Sequence, residues 1–153
     1  MQVWQLMSTD LVTLDAKGTM DIADDLMKLK RIRHLPVLDD GRLVGLITQR
    51  DLFLAGVSSV LQFRRGAQKE WLGHIRIAEV MTRDLITIGP QADAELAVAQ
   101  MLEHKIGCLP VVAGSNLVGL LSETDLLRYL QRILEIADVK RRIAEEEKPV
   151  EVS

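Results

Sequence analysis

The sequence predicts an α+β fold built from two copies of one β-α-β-β-α unit. Shifting the 153-residue chain by 74 positions aligns residues 7–52 with residues 81–126 without a gap, and 16 of the 46 aligned positions are identical. Each copy also alternates short apolar runs, which are typical of strands, with longer stretches of helical periodicity. One such unit is too short to bury a stable core alone, so we expect the two copies to pack on each other.

Each copy begins with a helical turn and a short strand, followed by an amphipathic helix. The turns are predicted at residues 3–6 and 77–80, and the strands at residues 11–13 and 85–87. From Thr19 to Lys30 the apolar side chains recur at helical spacing on one face, which indicates a helix with one buried stripe. The second copy repeats that stripe.

A β-hairpin is predicted next in each copy. Leu35-Pro36-Val37-Leu38 and Leu109-Pro110-Val111-Val112 are too short for helices, and a proline near the start suits the beginning of a strand. Turn-forming residues follow at 39–41 and 113–116. Each hairpin therefore leads into a second apolar strand.

That second strand runs without a loop into a helix, at Leu43 to Leu52 and again at Leu117 to Leu126. The final helix can continue to about Glu147. Its apolar residues on one side are Leu126, Leu130, Ile133, Leu134 and Ala137. Because this stripe is longer than one small unit needs, it predicts that two chains pair as a homodimer.

The chain divides into four predicted parts. These are the first repeat at 1–62, a connector at 63–76, the second repeat at 77–130, and the end of the last helix with a tail at 131–153. Gly66 is expected to break the helix that ends the first repeat, Trp71 to anchor the connector, and the tail from Lys148 onward to be disordered. The basic residues of the connector are Arg64, Arg65, Lys69 and Arg76. They suit a solvated surface or, more rarely, contact with an acidic partner.

Composition and charge exclude several classes of function. The net charge of −3 gives no support for a nucleic-acid-binding protein. The single cysteine, Cys108, rules out an intramolecular disulfide and suits a reducing compartment. No apolar run is long enough to span a membrane, and the amino terminus does not resemble a signal peptide. We therefore expect a cytoplasmic protein with no nucleic-acid or membrane partner.

The strand-to-helix junctions carry the pattern hydroxyl-x-x-Asp, at Thr48 and Asp51 and at Ser122 and Asp125. The N-terminus of a helix presents unpaired N–H groups and a partial positive charge, which can hold a phosphate. The aspartate could accept hydrogen bonds from both hydroxyls of a ribose. The same pattern also forms a capping box that stabilises a helix without any ligand. Both interpretations stay open at this point.

The paired motifs together resemble one known family. Both copies carry Met-(Ser/Thr)-x-Asp-Leu-(Val/Ile)-Thr, then Leu-Pro-Val, then Gly-Leu-(Ile/Leu)-(Thr/Ser)-x-x-Asp. In this combination the chain resembles a tandem pair of CBS domains, named after cystathionine β-synthase, from Val3 to about Tyr129. The resemblance implies two repeats packed about a pseudo-twofold axis, with two clefts that commonly bind AMP, ADP, ATP or S-adenosylmethionine.

The resemblance also implies which residues line the clefts. The first cleft would combine Thr13, Ile32, Arg33, His34 and Pro36 with Ser122 and Asp125. The second would combine Thr87, Ile106, Gly107, Cys108 and Pro110 with Thr48 and Asp51.

Two arginines are suited to a phosphate in these clefts, Arg33 in the first and Arg50 in the second. Their repeat equivalents, Gly107 and Thr124, carry no charge. The first cleft is therefore the better candidate phosphate site, and the second relies on Arg50 with Lys105. Three other cations near Arg33 are expected mostly on the solvated face. They are Lys28, Lys30 and Arg31.

No metal site or catalytic centre is recognisable in the sequence. His34 and Cys108 are repeat equivalents, but zinc needs more ligands than this pair. His74 and His104 have no metal-binding spacing. Nothing identifies a base that would activate Cys108 as a nucleophile.

The sequence thus predicts a non-enzymatic regulatory module for adenine nucleotides, with a role in energy sensing and no cofactor. The unknown regulated partner would respond to occupancy of the clefts. One alternative is a sensor of S-adenosylmethionine or NADH. Another is a ligand-independent dimerisation or adaptor module, in which both junctions are only helix caps. An enzyme such as a nucleotide hydrolase is disfavoured because a general base or metal constellation is missing.

Overall fold

The structure is a computed structural model and describes residues 1–60 and 67–147. The first repeat contains β1 (Leu14–Asp15), α1 (Met20–Lys30), β2 (His34–Asp39), β3 (Arg42–Thr48) and α2 (Gln49–Val60). Then come α3 (Ala67–Leu72), α4 (Ile77–Val80), α5 (Ala94–His104), β4 (Cys108–Ala113), β5 (Asn116–Ser122) and α6 (Glu123–Glu146). A 3₁₀ turn at Val3–Gln5 precedes β1. The α+β fold with two repeated units is confirmed.

The two hairpins have the same register, as expected for repeats. Pro36 lies opposite Leu46 in the antiparallel pair β2–β3, and Pro110 lies opposite Leu120 in β4–β5. Both pairs carry an irregularity at the same place, after Val37 and after its equivalent. The predicted hairpins are therefore confirmed, with a proline close to the start of each first strand.

The hairpins differ in what pairs with their outer edge. In the first repeat, β1 adds a parallel strand in which Leu14 pairs with Val37, giving the order β1-β2-β3. In the second repeat, the equivalent residue Ile88 forms a single parallel bridge to Val111. Within the described residues, the second sheet thus has two strands, with a single bridge at the position that β1 occupies in the first sheet.

The strands predicted at residues 11–13 and 85–87 are wrong. The first repeat's strand begins later, at Leu14, and in the described part of the chain residues 85–87 belong to no strand. Leu11 donates its N–H to the carbonyl of Thr9, two residues earlier, and Leu85 makes the equivalent bond. Val12 and Ile86 nevertheless pack, partly buried, against the cores of the first and second repeat.

Each repeat's core is completed by the segment that leads into the other repeat. Val3 is fully buried in the core of the second repeat, and its N–H donates to the carbonyl of Ala92. Ile77 is fully buried in the core of the first repeat, and its N–H donates to the carbonyl of Gly18. We call residues 1–8 and 75–82 the exchanged segments. They are why the two repeats form one unit.

The exchanged segments also pair with the second strands of the hairpins. Ser8 and Leu120 exchange two backbone hydrogen bonds of 2.9 and 3.0 Å. Thr82 and Leu46 exchange two of 3.0 Å. Each sheet therefore has one edge contact from the opposite repeat, directly beside the strand-to-helix junction.

The last helix has its predicted extent, and the structure describes the connector from Ala67 onward. Trp71 of α3 donates its indole N–H to the carbonyl of Ala55, which ties the connector to α2. α6 ends at Glu146, within a residue of its predicted end. Residues 61–66, with Arg64, Arg65 and Gly66, and the tail from Lys148 lie outside the described residues. No described helix is long and apolar enough to cross a membrane.

Candidate functional site

Two cavities lie between the repeats, one at each strand-to-helix junction. Cavity 1 has a volume of about 170 Å³ and joins the first repeat to the start of α6. It is lined by Ser8, Asp10, Leu11, Val12, Arg31, Ile32, Arg33, His34, Leu120, Ser122, Thr124, Asp125 and Arg128. Each repeat thus contributes one wall.

Cavity 2 is the pseudo-symmetric counterpart, with a volume of about 290 Å³. It joins the second repeat to the start of α2. It is lined by His34, Leu46, Thr48, Arg50, Thr82, Asp84, Leu85, Ile86, Lys105, Ile106, Gly107, Cys108 and Pro110.

A left-handed residue at the end of the first helix shapes one wall of each cavity. Arg31 has φ of 52° and Lys105 has φ of 53°, and both close their helix with an N–H bond to the residue four positions earlier. This conformation ends a helix by reversing the chain direction. The following residues, 32–34 and 106–108, are thereby carried into the cavities.

Both strand-to-helix junctions form the predicted capping box. At the start of α6, Asp125 Oδ2 accepts from the Ser122 N–H at 2.8 Å and from the Ser122 hydroxyl at 2.7 Å. The Asp125 N–H donates in return to Ser122 Oγ at 3.3 Å. Thr48 and Asp51 make the same three bonds at 2.8, 2.9 and 3.2 Å. The capping interpretation therefore describes the geometry of both junctions.

Asp125 has further partners beyond the cap. Its Oδ1 accepts from the Ser8 hydroxyl at 3.1 Å and lies 3.8 Å from Arg128 Nη1. Only 9% of its side chain is exposed. A ribose hydroxyl would therefore have to share Oδ1 with Ser8 or displace it. Ser8 belongs to an exchanged segment, so such a ligand would act on the contact between the repeats.

Cationic groups outnumber carboxylates in the lining of both cavities. Cavity 1 has Arg31, Arg33 and Arg128 against Asp10 and Asp125. Cavity 2 has Arg50 and Lys105 against Asp84. This balance favours an anionic ligand over a cationic one.

His34 is the one described residue that lines both cavities. A Cβ placed on Gly107 would lie 3.1 Å from His34 Nε2, so the imidazole contacts the opposite repeat. Burial lowers the pKa of His34 and the nearby Arg33 lowers it further, while Glu123 opposes both effects. The imidazole, which lies between the two cavities, is therefore uncharged at neutral pH.

Cys108 lies in the wall of cavity 2 and is buried. Burial raises the pKa of its thiol to about 12, and the negative charges of Glu123 and Asp125 add to the effect. The thiol thus stays protonated and is a poor nucleophile. Among the described residues, no group of three or more histidine, cysteine or acidic side chains could hold a metal ion.

The structure brings most of the predicted site residues together. Those lining cavity 1 are Ile32, Arg33, His34, Ser122 and Asp125, and those lining cavity 2 are Thr48, Arg50, Ile106, Gly107, Cys108 and Pro110. Four predicted residues lie outside both linings: Thr13, Pro36, Thr87 and Asp51. Pro36 is fully buried within its sheet.

Sequence reasoning missed residues that reach the cavities from outside the hairpins. Asp10 and Asp84 line cavities 1 and 2, and their identity in the repeat alignment was a usable signal. Arg31, expected mostly on the solvated face, is exposed and also lines cavity 1. Arg128 comes from the second turn of α6 and has no charged repeat equivalent, so no pattern pointed to it.

Comparison with known proteins places this geometry in a family. The CBS domain matches the chain twice, over residues 3–58 and 77–132. A CBS domain-containing protein of Dictyostelium discoideum is 35% identical over 135 residues, which is 87% of this chain and 93% of that protein. The similarity therefore extends over nearly the whole length of both chains.

Two solved structures of similar proteins contain adenosine-derived ligands. The CBS domain pair of protein MJ0100, in complex with 5′-methylthioadenosine and S-adenosyl-L-methionine, has a TM-score of 0.71 and 26% identity and covers 86% of this chain and 96% of that one. CBSX2 in complex with AMP has a TM-score of 0.72 and 25% identity and covers 86% of this chain and 97% of that one.

Proposed function

Because the chain belongs to the CBS domain family, as two repeats in tandem, we propose that it is a regulatory module whose ligand is an adenine nucleotide: AMP, ADP or ATP. The nucleotide binds between the repeats. Its binding shifts the orientation of the repeats or of paired chains and so alters a partner protein. The module itself catalyses no reaction.

The observation that carries this proposal is the composition of cavity 1. Arg33 comes from one repeat and the Ser122 turn from the other, and both line the same space. A guanidinium and the N-terminus of a long helix are complementary to a phosphate group. A ligand held by both would bridge the repeats, which is what a sensor of this kind requires.

The solved relatives support the adenosine part of the ligand, and the charge of the cavities supports the phosphate part. MJ0100 is bound to S-adenosylmethionine and CBSX2 to AMP. The sulfonium group of S-adenosylmethionine is cationic, and both cavities already have more cations than carboxylates in their lining. Electrostatic complementarity therefore favours the nucleotide.

Isothermal titration calorimetry with AMP, ADP, ATP, S-adenosylmethionine and NADH tests the proposal. Wild-type protein should bind at least one adenine nucleotide. Arg33→Ala should weaken that binding about tenfold or more, since a hydrogen bond to a charged group contributes about 1.5–3 kcal/mol. Arg50→Ala probes cavity 2 in the same way. Arg42→Ala is the matched control, because Arg42 is exposed and lines neither cavity.

Absence of heat and of any thermal shift with all five compounds would overturn the nucleotide proposal. Binding of S-adenosylmethionine or NADH alone would change the proposed ligand and leave the proposed regulatory role in place. The two variants identify the cavity that holds the ligand. Loss of binding in Arg33→Ala places the ligand in cavity 1, and loss of binding in Arg50→Ala places it in cavity 2.

A ligand-independent adaptor is the second candidate function, and one observation favours it. Both capping boxes are closed by hydrogen bonds within the chain, so each junction has a structural role of its own. Under this alternative the cavities bind none of the five compounds. The calorimetry described above separates the two functions directly.

We also propose that the module forms a homodimer through α6. Its 24 residues include none that is buried, although several are large and apolar. The exposed apolar residues of α6 are Leu127, Leu130, Ile133, Leu134, Ile136, Val139 and Ile143. A second copy of the helix offers a matching apolar surface, and symmetric pairing of this kind is the commonest form of oligomer.

A further inference from the structure

A third cavity, of about 420 Å³, lies along α6 beside cavity 1. One wall is the second and third turns of α6, with Arg128, Tyr129 and Arg132. The other wall is the exchanged segment at the amino terminus, with Gln5 and Leu6 among its residues. We call this space the arginine cavity. Its two guanidinium groups belong to residues four apart, which share one face of a helix.

The arginine cavity adjoins cavity 1, because Asp125 and Arg128 line both. Cavity 1 alone, at about 170 Å³, is smaller than the roughly 300–1,000 Å³ of most ligand sites. A nucleotide whose first phosphate meets Arg33 and the Ser122 turn would therefore extend beyond cavity 1. The arginine cavity is one neighbouring space into which it can extend.

The charges in this space favour an anion despite the presence of Asp125. That carboxylate is already bonded to Ser122 and Ser8, and 9% of its side chain is exposed. Arg128 is 67% exposed, and its ion pair in the described part of the chain is the 3.8 Å contact with Asp125. Arg132 forms no ion pair among the described residues. Two guanidinium groups can each form paired hydrogen bonds to phosphate oxygens.

The first repeat has no counterpart of this arrangement. The repeat equivalents of Arg128 and Arg132 are Leu54 and Ser58, neither of which is charged. The two junctions therefore share the capping box and differ in the helix face beside it. Of the two junction helices, only α6 carries arginines in its second and third turns.

We propose that the arginine cavity binds the phosphate groups of a nucleotide beyond the first, so that cavity 1 prefers ATP and ADP to AMP. This inference rests on the proposed function, in which the first phosphate of the nucleotide lies between Arg33 and the Ser122 turn in cavity 1. Arg132 then determines specificity, because it lines the arginine cavity and not cavity 1.

Calorimetric titration of AMP, ADP and ATP into wild type, Arg132→Ala and Lys140→Ala tests the inference. Wild type should bind ATP about tenfold or more tightly than AMP. Arg132→Ala should lose most of that preference through weaker ATP binding, with AMP affinity unchanged. Lys140→Ala removes the same charge two turns further along α6 and should behave as wild type. Far-ultraviolet circular dichroism confirms that each variant is folded.

Two results would overturn the inference. One is an unchanged ratio of ATP to AMP affinity in Arg132→Ala, and the other is a wild type that binds both equally. In either case AMP still binds, so the proposed function stands. If neither AMP nor ATP binds, both the inference and the proposed function are wrong. Inorganic tripolyphosphate is the third arm: it should bind much more weakly than ATP. Equal affinity would assign the cavity to a free polyphosphate instead.

Discussion

Met7 and Gly119 are in contact across the two repeats: a Cβ on Gly119 would overlap the sulfur of Met7. Gly45 has the same relationship with Met81 at the other junction. Each methionine belongs to an exchanged segment, and each glycine belongs to the strand that leads into a junction helix. The two glycines are therefore required by the close approach of the exchanged segments.

Gly45→Ala and Gly119→Ala should both destabilise the protein, by about 1–3 kcal/mol, because a methyl group added to a packed contact forces its neighbours to move. Gly45→Ala should cost more. Its new methyl would meet the Met81 Cβ at 3.0 Å as well as the flexible end of that side chain. Urea unfolding measures both changes. Gly89→Ala is the control, since nothing lies within 4 Å of that position. Equal stability of all three variants would contradict the prediction.

Ser122→Ala should destabilise the fold by about 1 kcal/mol, because it removes the acceptor of the Asp125 N–H and a donor to Asp125 Oδ2. Thr48→Ala should cost a similar amount, since the same three bonds form there. The free energy of unfolding in urea is the measurement. Ser115→Ala, in the exposed hairpin turn between β4 and β5, should leave stability unchanged. A capping role would be disproved by equal effects at Ser115 and Ser122.

The free energy of unfolding should fall on acidification, and protonation of His34 should cause part of that fall. Its pKa in the folded protein lies below the ordinary value of 6.5, so the unfolded chain binds the proton more readily. The stabilising effect of the neutral imidazole is complete above the unfolded pKa and is lost as the pH falls from 6.5 through the folded pKa. The charged groups that face His34 are Arg33 and Glu123.

Urea unfolding of wild type and His34→Gln at about pH 8 and about pH 5.5 measures this dependence. Wild type should lose more stability between the two conditions than the variant does. His104→Gln, which changes an exposed histidine, should behave as wild type. Identical losses in wild type and His34→Gln would show that the imidazole has the same pKa in both states.

Cys108 should react slowly with iodoacetamide in the native protein at about pH 8, because little thiolate exists when the pKa is about 12. Reaction in urea should be much faster. Mass spectrometry of timed samples gives both rates. The double variant Cys108→Ser, Ser115→Cys places a thiol in an exposed turn and should react at an ordinary rate. Rapid native alkylation of Cys108 would show that the wall of cavity 2 opens readily.

Sedimentation velocity tests the proposed pairing through α6. Wild type should sediment as a dimer. Leu130→Glu should shift it toward the monomer, because a carboxylate on an apolar contact is costly to bury. Gln131→Glu introduces the same charge on the next residue and should leave the dimer intact. A monomeric wild type would disprove the pairing.

Local patterns predicted the elements and only part of the site. The hairpins around Pro36 and Pro110 and the extent of α6 follow from turn residues and periodicity, which neighbouring residues determine. The strand at residues 11–13 was wrong because pairing in a sheet depends on a distant partner, and the apolar run faces a cavity instead. Arg128 was missed for a different reason: it lies one helical turn after Asp125 on α6, but its repeat equivalent, Leu54, carries no charge.

The exchanged segments leave neither repeat with a complete core of its own. Val3 precedes the first repeat and lies in the core of the second, while Ile77 precedes the second repeat and lies in the core of the first. A change in either segment is therefore felt in the repeat that it fills and not in the repeat that follows it in the sequence. The two repeats are accordingly expected to unfold in a single cooperative transition.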